Sequence, residues 1–316
     1  METKIYKSKV LTVGIILITI VFNTFAQQDP LNTQYIFNTQ SINPAYAGTW
    51  ETVGFTVLAG QQWNGFDEAP QSYIFSIQAP LSNKKTGLGL NIINDKIGFD
   101  KRFCVFGDYS YLIEVGRNSN LRLGVKGGFT NYSNHSNHNL LKSADVTSES
   151  NNTSEKTMLN AGAGIFLYNS NYYVGFSVPD VLNNRLINDL DNSNFSYENQ
   201  PYYLMSGLVL NLGSNLIFKP STMAFATFAS NTSRKAEINL AANFLLKEKL
   251  WFGAMVGTYN GYGFMAQWIF KGNLRLGYAY DTIASNSNIQ KNSSHKLMLS
   301  YELATLKNSL GTLRYF

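Results

Sequence analysis

The sequence predicts an all-β protein, a transmembrane antiparallel β-barrel of about 14 strands. Three observations predict it. Apolar and polar residues alternate with period two along most of the chain. The connections between these runs are short and long in strict alternation. Charge is low, at 14% of residues, while aromatic residues reach 14% and glycine numbers 25; a typical soluble chain is about a quarter charged. Beyond the first 26 residues no apolar run is long enough for a membrane helix. Lipid admits only helices and closed sheets, so an integral protein of this composition must be a barrel.

Residues 1–26 read as a signal peptide. Lys4, Lys7 and Lys9 form a positive start, residues 10–22 an apolar core, and Ala26 a small residue at the cleavage position. The single cysteine, Cys104, excludes a disulfide framework and a thiolate metal cluster. The formal charge of +5 comes from basic residues scattered singly, with no run to track a phosphate backbone, so nucleic acid is not a predicted partner.

Residues 27–49 lack clean periodicity and form an N-terminal segment that lies either in the periplasm or inside the lumen. The barrel domain is expected over residues 50–303 and a C-terminal tail over 304–316, ending on Phe316. Strands are expected at 52–61, 71–80, 86–94, 102–115, 119–132, 157–168, 171–178, 201–212, 216–229, 235–246, 249–258, 262–270, 273–282 and 294–303. Leu121, Leu123, Val125 and Phe129, for example, oppose Arg122, Gly124, Lys126 and Gly128. A soluble sandwich shows the same alternation with its apolar face inward, so periodicity alone does not decide. The loops decide. Every even-numbered connection is short, as at Gly116 to Asn118 and Lys247-Glu248, and every long one is odd-numbered. Short periplasmic turns facing long outer loops are a property of membrane barrels. Pro220 sits within the ninth strand, where it needs a bulge to be tolerated. Fourteen strands enclose more than side chains fill, so the lumen needs a plug, a loop or a bound peptide to be closed.

Chemistry is sparse. His135 and His138 have metal-ligand spacing but lie in a Ser/Asn/Lys loop with no third ligand. His295 with Ser293 and Ser294 lacks the G-x-S-x-G context of a nucleophile. The glycine pairs Gly87/Gly89 and Gly162/Gly164 lie within strands rather than before a helix, which fits close packing better than phosphate binding. No cofactor, metal or catalytic residue is predicted. Trp50, Trp63, Trp251 and Trp268 are expected in the aromatic girdles.

The stretch from Asp29 to Pro80 is the most specific in the chain: Asp29-Pro30, Gln34-Tyr35-Ile36-Phe37-Asn38, Ile42-Asn43-Pro44-Ala45-Tyr46-Ala47-Gly48, Trp63-Asn64-Gly65-Phe66 and Ala69-Pro70. It resembles the start of the PorP/SprF family of type IX secretion proteins. The likeness continues through Gly87-Leu88-Gly89, Asn160-Ala161-Gly162-Ala163-Gly164, Tyr172 to Pro179, Lys219-Pro220-Ser221, Leu250-Trp251-Phe252-Gly253 and Gly277 to Asp281. Thr39 and Gln61-Gln62 depart from it, where the family usually has a proline and an arginine. The resemblance implies a non-catalytic outer-membrane component that supports secretion or surface attachment of a cargo protein carrying a type B C-terminal domain, as in gliding motility. Implied partners are that cargo, periplasmic or peptidoglycan-linked secretion components, and outer-membrane lipid. Candidate partner-binding residues from these motifs are Asn43, Pro44, Tyr46, Trp63, Phe66, Asp67, Pro70 and Pro179. A porin or channel for small solutes remains the alternative.

Overall fold

The computed structural model describes residues 34–50, 52–62, 68–116, 118–135, 153–181, 200–228, 235–258, 261–270, 273–283 and 293–303. The expected signal peptide and the C-terminal tail lie outside them. Among the described residues no helix is long and apolar enough to cross a membrane.

Fifteen strand segments form one antiparallel sheet. They are β1 (Gly54–Gln62), β2 (Gln71–Pro80), β3 (Thr86–Ile97), β4 (Asp100–Val115), β5 (Ser119–His135), β6 (Thr153–Tyr168), β7 (Tyr172–Val178), β8 (Gln200–Leu208), β9 (Leu210–Asn211), β10 (Leu216–Phe228), β11 (Lys235–Leu246), β12 (Leu250–Gly257), β13 (Gly261–Ile269), β14 (Leu274–Ile283) and β15 (Ser293–Glu302). β8 and β9 both pair with β10 and are one wall strand, so the wall has fourteen. β15 pairs with β1 from Gly54↔Glu302 to Gln62↔Ser294, which closes the ring. Closure leaves no sheet edge exposed to lipid.

The faces are turned as a membrane requires. Leu123, Val125, Phe129, Val174, Phe176, Leu204, Phe264 and Leu297 are exposed on the outer face. Thr56, Ser76, Asn91, Asp108, Ser110, Arg122, Lys126, Ser177, Asn239, Asn243 and Ser300 are buried on the inner one. β4 and β5 run to 16 and 17 residues, longer than the ~9–11 a tilted crossing needs.

The turns show how tightly the sequence specifies the wall. Lys247 and Glu248 both have positive φ, 49° and 55°, the geometry of a type I′ hairpin, though neither is the Asn or Gly that turn favours. Pro220 needs no bulge. Gly207 pairs with Ser221 and Leu210 with Phe218, so the register is unchanged across the gap. Pairing with β10 simply lapses at Leu208 and Val209, which lie opposite Pro220, with no N–H to give, and Lys219. On its other side Pro220 stays in register with Ala242.

Candidate functional site

The lumen is occupied by the protein's own N-terminal segment. Of the two placements open from the sequence, residues 34–50 take the lumenal one. A helical turn (Gln34–Phe37) leads into two 3-10 turns, Thr39–Ser41 and Pro44–Tyr46. The second starts where the sequence allows it to: Pro44 fixes φ at the first position, and Asn43 caps the turn by accepting from the Ala45 amide at 3.0 Å. A segment this short is not stable by itself. Its stability comes from the wall.

One arc of the wall, β2 to β7, binds the segment in two ways. The first is polar. Lys126 Nζ donates to the Ser41 carbonyl at 2.9 Å, and Ser110 Oγ to the Ala47 carbonyl at 2.5 Å. Arg122 Nη1 reaches both Ser110 Oγ (2.9 Å) and the Ala47 carbonyl (3.3 Å). Ser177 Oγ donates to the Ile42 carbonyl at 2.9 Å, and Asn43 Nδ2 to the Ile165 carbonyl at 3.2 Å. A chain of side chains continues along the inner face: Asn38 to Ser76 (2.7 Å), Ser76 to Asn91 (2.5 Å), Asn91 to Asp108 (2.5 Å), and back to the segment through Gln40 (3.0 Å). Hydrogen bonds to charged groups, here Lys126, Arg122 and Asp108, contribute about 1.5–3 kcal/mol each and neutral ones about 0.5–1.5, so this set holds the segment firmly.

The second is the absence of side chains. A Cβ on Gly87 would land on the Ala47 carbonyl, on Gly124 on the backbone of Ala45, and on Gly164 on the Asn43 amide. The inner-face glycines of this arc are therefore a bed cut to the depth of the segment's backbone. The close packing expected of Gly87, Gly89 and Gly164 is packing against the plug; Gly162 instead faces Pro179.

The opposite arc, β10 to β15, does not touch the segment so closely. A cavity of about 60 Å³ remains between them. Lys219 Nζ stands over the rings of Tyr173 (5.3 Å) and Trp251 (5.9 Å), and Arg275 over Trp50 (5.4 Å) while bonding Glu302 at 3.2 Å. These contacts correct the girdle assignment. Trp50 and Trp251 are buried inside the barrel, where they pack on cations. Trp268 does face outward, 46% exposed, and Trp63 lies outside the described residues.

Of the eight candidate residues, Asn43, Pro44 and Tyr46 come together in the lumen, all buried. Tyr46 packs edge-on against Phe166, with ring centroids 5.4 Å apart. Burial raises its phenol pKa above the ordinary value, which keeps it neutral. Pro70 closes the first hairpin by accepting from the Gln62 amide at 2.9 Å, and Pro179 lies over Gly162 after β7. Trp63, Phe66 and Asp67 lie outside the described residues. Sequence reasoning missed the anchors Gln40, Ser110, Arg122, Lys126 and Ser177. For Arg122 and Lys126 the signal was available: charged residues at inward positions of a barrel need partners.

His295 is on the outer face, its Nδ1 2.7 Å from Tyr278 OH, while neighbouring Ser294 turns inward to Asp281. His138 lies outside the described residues. Among those described, no three His, Cys, Asp or Glu side chains gather as a metal site.

Fold and lumen together define the class: a β-barrel of outer-membrane type that carries an internal plug. The sequence pattern of one family, type IX secretion system membrane protein PorP/SprF, matches residues 24–301. The chain belongs to the PorP/SprF family. No curated protein matches it. Among solved structures it is similar to a Pseudomonas aeruginosa FadL homologue (10% identity, TM-score 0.45, 90% of this chain and 96% of that one). It is also similar to the P. putida toluene transporter TodX (9%, TM-score 0.46, 85% and 94%). A third is BamA from Haemophilus ducreyi lacking POTRA domains 1–3 (9%, TM-score 0.39, 80% and 71%).

Proposed function

We propose that this protein is a non-catalytic component of type IX secretion that supports the export or surface attachment of a cargo protein with a type B C-terminal domain. The observation that carries the reading is the filled lumen. An interior bonded to its own N-terminal segment is a poor path for free diffusion, which favours this reading over the porin alternative. The cargo then meets the rim and loops, because a closed sheet has no free edge to extend. Trp63, Phe66, Asp67 and Pro70 of the first hairpin, with Pro179, are the contact residues of this reading. Asn43, Pro44 and Tyr46 act indirectly, by keeping the plug seated. Periplasmic secretion components would engage the end with the short turns.

Affinity capture from detergent-solubilised outer membranes tests this. Recovery of a protein ending in a type B domain, and its loss when Trp63 and Phe66 are both changed to Ala, is the expected result. Recovery of lipid and porins only, together with steady ion conductance of the intact barrel in planar bilayers, would return the porin reading.

A further inference from the structure

We infer that the space between the plug and the β10–β15 arc is a binding site for a short-chain carboxylate, at the end of the barrel that carries the short turns. The place follows from the lining. Gly54, Trp251 and Arg275 each lie within two residues of a strand end on that side. The charge follows as well. The lining contains two cations, Lys219 and Arg275, and no carboxylate among the described residues. Glu302 reaches Arg275 from outside the lining.

Asn243 is the independent sign that a ligand belongs here. It is 2% exposed, lines the cavity, and its Oδ1 and Nδ2 both lack a hydrogen bond within the protein. A buried amide left in that state costs about 1–3 kcal/mol, so a polar partner is called for. Asn243 is the cross-strand partner of Lys219 on one side and of Gly253 on the other. Gly253 has no Cβ to obstruct the amide, which lies over it. An ammonium and an amide N–H are thus set side by side on adjacent strands, the pairing that receives the two oxygens of one carboxylate. Phe37, Met265 and Met298 supply an apolar wall for a short alkyl end. A single water occupies ~10–15 Å³ on this scale, so about 60 Å³ admits roughly four to six non-hydrogen atoms. Acetate or propionate has that size, as does the terminal residue of a peptide.

The test uses the full mature chain refolded in detergent. Sodium acetate is titrated against sodium chloride at equal ionic strength and against acetamide, the neutral isostere. Tryptophan emission reports on Trp251 and Trp50, and saturation-transfer NMR reports on the acetate methyl. Expected is saturable acetate binding, with acetamide and chloride at least tenfold weaker. Lys219→Met and Asn243→Leu should each weaken acetate at least tenfold while the heat-modifiable gel mobility of the folded barrel is kept. Should Lys219→Met fail to fold, the acetamide comparison and Asn243→Leu carry the test. A tripeptide with a free C-terminal carboxylate, compared with its amide, separates a polypeptide end from a small solute as the source. Equal responses to acetate, acetamide and chloride, or full acetate binding by both variants, would overturn the site and leave Asn243 bonded to water only.

Discussion

The two arcs of the wall treat the plug differently. β3 to β7 offer glycines and charged donors, and the segment lies against them backbone to backbone. β10 to β15 offer methionines, aromatic rings and cations, and stand back far enough to leave a cavity. Met255, Met265 and Met298 are all buried on that side, and methionine packs adaptably where glycine against backbone does not. The lesson is that one lumen can combine a fixed dock with a surface able to adjust to a guest. The division is set by which residue types occupy the inward positions of each strand.

Substitutions on the two arcs should separate these roles. The largest effect is expected from Gly124→Val, whose side chain collides with the Ala45 backbone. Overpacking of this kind costs about 3 kcal/mol; the plug should be expelled, and planar-bilayer recordings should show a larger conductance than that of the native barrel. Lys126→Met removes the charged bond to the Ser41 carbonyl and should cost about 2 kcal/mol, read as an earlier midpoint in denaturant unfolding with brief rises in conductance in the same recordings. Asn38→Ala breaks only the first link of the side-chain chain, at about 1 kcal/mol by the same measurement. Gly277→Ala, on the adaptable arc, is the smallest. Its Cβ meets Met298 and Phe37 side-chain ends at 3.0–3.2 Å, which can yield, so the cost should stay under ~1 kcal/mol with the conductance of the native barrel unchanged. Equal effects of Gly124→Val and Gly277→Ala would dissolve the distinction between the arcs.

Much of the wall was legible in the sequence because a strand's two faces are read by a period of two, and lipid punishes any lapse in it. Strand positions such as 71–80 and 235–246 coincide with β2 and β11. The lapse of pairing with β10 at Leu208 and Val209 was not legible, because residues on both sides of it keep the alternation. The inward turn of Trp50 and Trp251 was not legible either. Tryptophan is equally at home at a membrane interface and over a buried cation, and only the partners Arg275 and Lys219 distinguish the two. The plug was ambiguous for a related reason: a polar inner face suits water as well as a polypeptide. What breaks that tie is the co-occurrence of glycines with Asp108, Arg122 and Lys126 on the inward positions of neighbouring strands. Water needs no glycine bed, and a carbonyl-rich backbone does.

The closed ring gives the plug a topological consequence. Residues 34–50 precede every stave in the chain, and the seam between β1 and β15 joins the two ends of the wall. With that seam paired, the segment can leave the lumen only along the barrel axis or by parting two staves, each held by a ladder of backbone hydrogen bonds. Exit of the plug and unzipping of the wall are therefore separate events.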